Sequence, residues 1–407
     1  FTNLISVFNV YTKLETVSKM QIYLKPIISA CYVFPVLALL FTIPYILYEY
    51  HKYGSILVLR TGIIYTFIFY MLTSYFMTIL PLPPLDSVSP DSACMLLVPF
   101  DAVKRVIVNS RINFKSPATY INIFSCADFW QIIFNILLLL PFGVYLRYYF
   151  RRKWWQVLIM SFAYSLFFEL TQLSGLYGVY RYPYRFFEID DLICNTLGGM
   201  TGYLITPLFV FFIPKRERLD EMAYSRGEIV SEFRRIVAWI IDIALIIAPV
   251  VGFFVFNKEI IINIIYDSRY IMCISAYVTN VFTVVTAASK GRTVGKALVN
   301  IRLVNGTNEN IMADRTNFKE AGIFRLFFRY IILYMIELPS LIYAYGLYKL
   351  TETATGWEYV FYGIGCGIFI IIAAYFVVDL VLCLFSDTRN MIYDRITGIT
   401  HMNMVKK

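Results

Sequence analysis

Nine stretches of this sequence stay apolar for about as long as a lipid bilayer is thick, which leaves the chain few ways to fold. A helix needs roughly 20 mostly apolar residues to cross the hydrocarbon core. Such runs occupy residues 27–48, 56–80, 129–146, 154–173, 189–213, 236–256, 270–288, 323–347 and 359–385. Composition agrees: 59% of the residues are hydrophobic and 15% charged, where soluble domains carry roughly 25% charged residues. The expectation is an all-α fold, a polytopic helical bundle of about nine spans in two consecutive membrane domains. Pro35, Pro44, Pro141, Pro207 and Pro339 fall inside these runs. They would break soluble helices, but membrane helices tolerate them because neighbouring groups satisfy the freed carbonyls. The chain opens on Phe1, so the natural start is expected upstream and no signal peptide can be judged.

A net charge of +9 would suit nucleic acid or an anionic membrane surface. Nucleic-acid binders show a continuous basic patch interleaved with stacking aromatics. Here the basic residues flank apolar runs, as Arg147, Arg151, Arg152 and Lys153 do, which is how helix ends are held on the cytoplasmic side. No nucleic-acid partner is expected. Of seven cysteines none forms a CxxC pair, and five lie inside the apolar runs. Cys94 and Cys126 share one expected outer loop and could pair, but two free thiols are the favoured reading.

Lys and Arg in short loops set the orientation. The segments 147–153, 214–235 and 290–319 and the tail ending Lys406-Lys407 are basic, and an alternating path puts all four on the cytoplasmic side. The domains expected are an N-terminal segment 1–26, read as an interfacial helix, and a membrane domain 27–213 of about five spans. A cytoplasmic linker 214–227 follows, then a second membrane domain 228–407 of about four spans. Loop 289–322 of that domain is its largest cytoplasmic piece. Val299 to Val304 followed by Asn305-Gly306 reads as a strand and a tight turn. Gly291-Arg-Thr-Val-Gly295-Lys296 approaches a phosphate loop, but it is one residue short and Ala297 stands where Ser or Thr would hold magnesium.

An ionisable side chain at mid-membrane costs roughly 2.5–3.5 kcal/mol on insertion scales, so it is paired or faces a polar cavity. In the first domain these candidates are Asn135, Glu169, Gln172, Arg181, Arg185, Glu188, Asp190, Asp191 and Asn195. Under the inferred orientation they converge at the outer leaflet, and a binding pocket is the reading favoured over simple helix packing. In the second, Asp242 and Asp379 lie near the inner ends of their spans, with Arg325 and Arg329 between them. These four read as one buried ionic cluster, for which a packing role is favoured. Glu337, deeper and just before Pro339, stands apart as a mid-membrane carboxylate. Gly198, Gly199 and Gly202 read as close-packing sites. The two histidines, His51 and His401, lie in a loop and the tail. They assemble no triad or zinc site, and no GxSxG occurs.

Two families are matched by these residues. The first domain resembles the VanZ-like family, through Leu97-Val-Pro-Phe100, Asn135-Ile-Leu-Leu-Leu-Leu-Pro141-Phe-Gly143, Glu169-Leu-Thr-Gln172 and Arg185-Phe-Phe-Glu188-Ile-Asp190-Asp191, leading to Asn195-Thr-Leu-Gly198-Gly199 and Gly202. Glu188 stands where Asp is expected, keeping the carboxylate but lengthening its reach. The second domain resembles the RDD family, through Arg234-Arg235 to Asp242, Thr293-Val-Gly295-Lys296 with Arg302-Leu-Val, and Tyr393-Asp394-Arg-Ile-Thr-Gly398. The name-giving Arg and two Asp map to Arg235, Asp242 and Asp394. Neither resemblance carries a settled biochemical activity.

The VanZ-like resemblance implies a bacterial cell-membrane protein that contributes to resistance against envelope antibiotics of the teicoplanin type. Its partners would be membrane lipids, with a lipid-linked envelope precursor or the glycopeptide itself as ligand. Arg181 and Arg185 would receive phosphate or carboxylate, and Glu169, Asp190 and Asp191 would orient donors or hold a divalent cation. Two alternatives stay open. One is a proton- or cation-coupled transporter using Asp242, Glu337 and Asp379. The other is a membrane enzyme acting on a lipid, a reading that no nucleophile motif favours. No cofactor and no metal are assigned.

Overall fold

The computed structural model describes residues 2–89, 95–113, 115–256, 268–306, 318–386 and 390–405; side chains are described from Leu24 onward, except at 249–251, 253–256, 268 and 269. Cys94, most of the loop 257–269, Arg315 and the terminal Lys406-Lys407 lie outside this set. The chain divides into two compact units, Phe1–Thr42 with Val58–Leu219, and Ile43–Leu57 with Asp220–Lys407.

All nine apolar runs are helical. Among the described residues, seven helices are long and apolar enough to cross a membrane, and a bent pair makes an eighth. Helix Glu232–Phe256 stands where the remaining span was expected. Leu39, Leu204, Phe211 and Ile371 are each more than 60% exposed on these helices, a surface that lipid rather than water would cover.

In the first unit, α1 (Thr2–Tyr53) is one continuous helix. The expected break between residues 26 and 27 is absent, because Pro26 is carried within the helix instead of ending it. Leu24–Tyr53 is the stretch apolar enough to span. Next come α2 (Val58–Ile79), β1 (Met95–Leu96), α3 (Asp101–Asn109), α4 (Ala127–Tyr148) and α5 (Trp154–Leu173). β2 (Phe187–Glu188) and α6 (Ile189–Phe209) follow. Leu139, Phe142, Leu146, Val157 and Phe168 form the apolar core of α4 and α5. α6 lies against both helices through glycines. A Cβ at Gly198 would sit 2.0 Å from the carbonyl oxygen of Ile136, one at Gly202 1.9 Å from that of Leu140, and one at Gly199 2.0 Å from Ser161 Oγ. Gly143 makes the reciprocal approach from α4, with its missing Cβ 1.9 Å from Gly199 O. The close-packing reading of these glycines thus describes their role.

The second unit begins with α7 (Arg216–Gly227), so most of the expected linker is a helix. It continues with α8 (Glu232–Phe256), α9 (Ser268–Ala288), α10 (Val294–Leu298), β3 (Ile301–Asn305) and β4 (Lys319–Glu320). Then come α11 (Ile323–Ile331), a π-helical turn over Ile332–Glu337, α12 (Ser340–Thr351), α13 (Trp357–Leu384), α14 (Ile392–Thr397) and β5 (Ile399–Asn403). The span that holds Pro339 bends by 45°, since proline removes a hydrogen bond and crowds the carbonyl one turn back. Strand β3 sits between β4 and β5, antiparallel to both, with Leu303 opposite His401. The strand expected at 299–304 therefore exists, but its main partner is the C-terminal tail. Gly291 has φ +87° and its missing Cβ would lie 2.3 Å from Leu303 O, so the glycine of the phosphate-loop lookalike serves to bring the chain against β3.

Candidate functional site

The VanZ-like motifs converge through two short links. β1 pairs with β2 in parallel, Leu96 opposite Glu188, which sets the segment ending at Phe100 beside the start of α6. Phe100 turns through a left-handed conformation, φ 64°, and its backbone N–H donates to Asp190 Oδ1 at 2.6 Å. Ala102 N donates to Asp190 Oδ2, also at 2.6 Å. Both oxygens of Asp190 thus cap α3, where a carboxylate is favoured by the unpaired amides and the helix dipole. Asp190 thereby anchors the start of α3.

Glu169 is 2% exposed on α5, and its Oε2 accepts the backbone N–H of Glu188 at 3.1 Å. It lies close enough to Asp191, Glu188 and Arg185 to interact with their charges. Asp191 accepts Asn135 Nδ2 at 2.5 Å, linking α6 to α4. Asn195, one turn on, donates to Ser165 Oγ of α5 at 2.9 Å, and its own Oδ1 is buried without a hydrogen-bond partner. Gln172 Nε2 and Arg185 Nη1 both donate to the carbonyl of Thr78, at 2.8 and 2.7 Å. Seven of the nine candidates therefore fall into three small hydrogen-bonded groups, related through the charges around Glu169. Arg181 is exposed, 5.7 Å from the Tyr182 ring centroid, and forms no hydrogen bond or ion pair with the others.

Sequence reasoning missed Arg105. Its guanidinium meets Glu188 at 3.0 Å, Asp101 at 2.7 Å and Asp128 at 3.5 Å. The signal available was Asp101 four residues before Arg105, a helical pair; the other two carboxylates come from distant elements. Glu188, where Asp was expected, uses its longer side chain to reach this cation. Among the described residues no group of three or more His, Cys, Asp or Glu could hold a metal ion.

In the second unit the single ionic cluster expected from Asp242, Asp379, Arg325 and Arg329 resolves into separate arrangements. Asp394, 1% exposed on α14, accepts Arg329 Nε at 2.6 Å and lies 4.0 Å from Arg235 Nη1. Arg235 also donates to Glu232 Oε1, and to Asn390 Oδ1 at 3.0 Å. Asp242 instead accepts Thr293 Oγ1 and the amide of Gly295 at 2.7 Å, with Lys296 Nζ 3.6 Å away. The opening and middle RDD-like signatures are thus one contact. A Cβ at Gly295 would lie 2.1 Å from Ala238 O, so the glycine lets this loop reach α8. Asp379 binds Arg395 at 2.8 Å and the amide of Ile392 at 2.7 Å. Arg325 is exposed and stands outside these pairs. Glu337 is 6% exposed, at the end of the π turn, and its Oε2 has no hydrogen-bond partner.

Two further residues take parts that the sequence did not show. His401, on β5, places Nδ1 3.5 Å from Asp394 Oδ2. Burial, and next the charges of Arg235 and Arg329, hold its pKa well below the ordinary value, so the contact is that of a neutral imidazole. Arg234 is fully buried. It donates to the carbonyls of Val299, Gly54, Gly227 and Asn300 and to Asn403 Oδ1, at 2.8 to 3.3 Å. A doublet of arginines at a helix start reads as a topogenic signal, which hides that each has a distinct buried partner set.

Comparison with known families follows the same division. Residues 67–210 match the VanZ/LLP1 family model and residues 229–398 match that of the RDD family. Searches of curated proteins and of solved structures returned no match. The chain is a multi-pass membrane protein in which a VanZ-like domain is followed by an RDD-family domain.

Proposed function

We propose that the protein acts in a bacterial cell membrane and contributes to resistance against teicoplanin-type glycopeptides, the trait linked to the VanZ name. The working site is the Glu169 network of the first unit, open to the outer leaflet, and its ligand is a lipid-linked or amphiphilic envelope molecule. One observation carries this reading. Glu169 is a carboxylate buried on a membrane span, yet its one hydrogen bond is from a backbone amide. A group so costly to bury is retained where it meets a polar partner. Asp191 and Asn195 extend the network, and Asn195 Oδ1 is a spare acceptor within it. Arg185, exposed and reaching Thr78 O, supplies the cation for a phosphate or carboxylate head. Asp190 and Arg105 hold the surrounding frame.

The test is the susceptibility of a glycopeptide-sensitive host expressing the wild type, Glu169→Ala or Asp191→Ala at matched levels. The wild type is expected to raise the inhibitory concentration of teicoplanin several-fold, and each variant to return it to the vector level. Variants as protective as the wild type would remove the site from the mechanism.

A second reading, proton- or cation-coupled transport by the second unit, is favoured by Glu337 alone. It is a buried carboxylate with an unpartnered oxygen at a π turn and bend, features that recur at functional sites. Asp242 and Asp379, by contrast, have both oxygens engaged. Flux in proteoliposomes should then be abolished by Glu337→Gln, and flux unchanged by it would exclude this route.

A further inference from the structure

The second unit holds a partly open cavity of about 260 Å³, lined by both apolar and ionic side chains. One end is apolar, walled by Trp239, Leu333, Tyr334, Leu338, Phe376 and Leu380. The other is formed by Glu232, Arg235, Lys296, Arg329 and His401. The space has an identifiable cause. Leu333 and Tyr334 belong to the π turn, and Leu338 follows it just before the 45° bend. A widened turn and a bent axis keep this span from closing against α8 and α13.

The charges at the polar end cancel. Arg235 and Arg329 face Glu232 and Asp394, Lys296 faces Asp242, and His401 is neutral. An anion entering here would meet two carboxylates with no spare cation to offset it. Three buried polar atoms at this end have no hydrogen-bond partner: Arg235 Nε, Asp394 Oδ2 and His401 Nδ1. Buried polar groups without partners are costly. With the charges already paired, the polar group that suits this end is one that brings no charge.

We propose that this cavity binds the head and first carbons of a single-chain membrane amphiphile whose polar group is an uncharged hydroxyl or carbonyl. The oxygen lies at the Arg235 end and the chain runs between Trp239, Leu333 and Phe376. At roughly 10–15 Å³ per water-sized group, 260 Å³ has room for a head and a chain of eight carbons or more. The site is distinct from the Glu169 network, and it stands or falls independently of the resistance reading.

Trp239 provides a reporter inside the cavity, since bromine quenches indole fluorescence on contact. The purified full-length protein in detergent is titrated with 8-bromo-1-octanol, 8-bromooctanoic acid at pH 8 and 1-bromooctane. The alcohol is expected to quench saturably, by up to about one fifth of the emission because Trp239 is one of five tryptophans. That phase should vanish in Trp239→Phe and weaken at least tenfold in Leu380→Phe, which fills the apolar end without touching the ionic groups. The acid and the bromoalkane should each bind at least tenfold more weakly. Quenching that is unsaturable, or unaffected by Trp239→Phe, is partition into the micelle and overturns the site. Equal binding of the acid overturns the uncharged head, and equal binding of the bromoalkane overturns any role for the polar end.

Discussion

Replacing Gly202 by alanine tests how the VanZ-like unit holds α6. The added methyl carbon would lie 1.9 Å from Leu140 O and 2.9 Å from its carbonyl carbon. A carbon–oxygen contact relaxes only at roughly 3.3 Å or beyond, so α4 and α6 must separate by about 1.4 Å along that line. Neither neighbour can yield by rotating a side chain, because the obstacle is backbone. A radial gap of only ~0.5–1 Å already forfeits a quarter to a half of each dispersion contact along the seam, and overpacking of this kind costs about 1–3 kcal/mol. Alanine returns up to ~1 kcal/mol through its higher helix propensity. The net loss expected is therefore about 1–2 kcal/mol, or roughly 2–8 °C in Tm for a unit of this size. Thermal unfolding in detergent, followed by intrinsic fluorescence, reads this directly. Gly62→Ala is the control, as a Cβ there would meet nothing within 4 Å, and it should leave Tm unchanged or slightly raised. A Gly202→Ala protein as stable as Gly62→Ala would refute the reasoning.

Three other changes probe the ionic framework. His401, with a depressed folded pKa, binds fewer protons folded than unfolded below the ordinary value of about 6.5; its contribution is complete above that pH and is lost as pH falls through it, by up to ~1.4 kcal/mol per unit. Unfolding curves of the wild type and His401→Gln should converge between pH 7 and pH 5, and a constant offset would show that His401 does not titrate there. Arg234→Lys keeps the charge but offers three donors where the guanidinium serves five acceptors, so a loss of about 2–5 kcal/mol is expected; a protein of wild-type stability would contradict the bonding described. Asp190→Asn turns one capping acceptor into a donor facing an N–H and should speed tryptic cleavage at Lys104 in α3, whereas unchanged cleavage would show that the cap is dispensable.

The apolar runs made the spans readable, because length and hydropathy alone decide whether a helix can cross a bilayer. The spacing of Gly198 and Gly202 was equally informative, since four residues is one turn and both face α4. What stayed hidden was partner choice. Asp242 and Arg329 look like natural partners from depth alone, but Asp242 is taken by Thr293 and Lys296, and Arg329 by Asp394 from beyond the last span. Electrostatic pairing falls steeply with distance, so differences of a few ångström that no periodicity encodes decide the outcome. The tail strand was hidden for a related reason. Its polar residues Thr400 and His401 are buried, so it carries no clean alternation of apolar and polar positions to mark it as a strand.

α1 belongs to both units: Phe1–Thr42 packs with the first, while Ile43–Leu57 packs with the second. On a ribosome those fifteen residues emerge long before Asp220 and the chain that follows it. At ~5–20 residues per second, the wait is roughly ten to thirty seconds. The RDD-family unit is thus assembled from an early piece and a late one, and its early piece is already tethered to a helix of the other unit. Residues 220–407 expressed alone would lack not only the first unit but part of their own, leaving Arg234 without the carbonyl of Gly54.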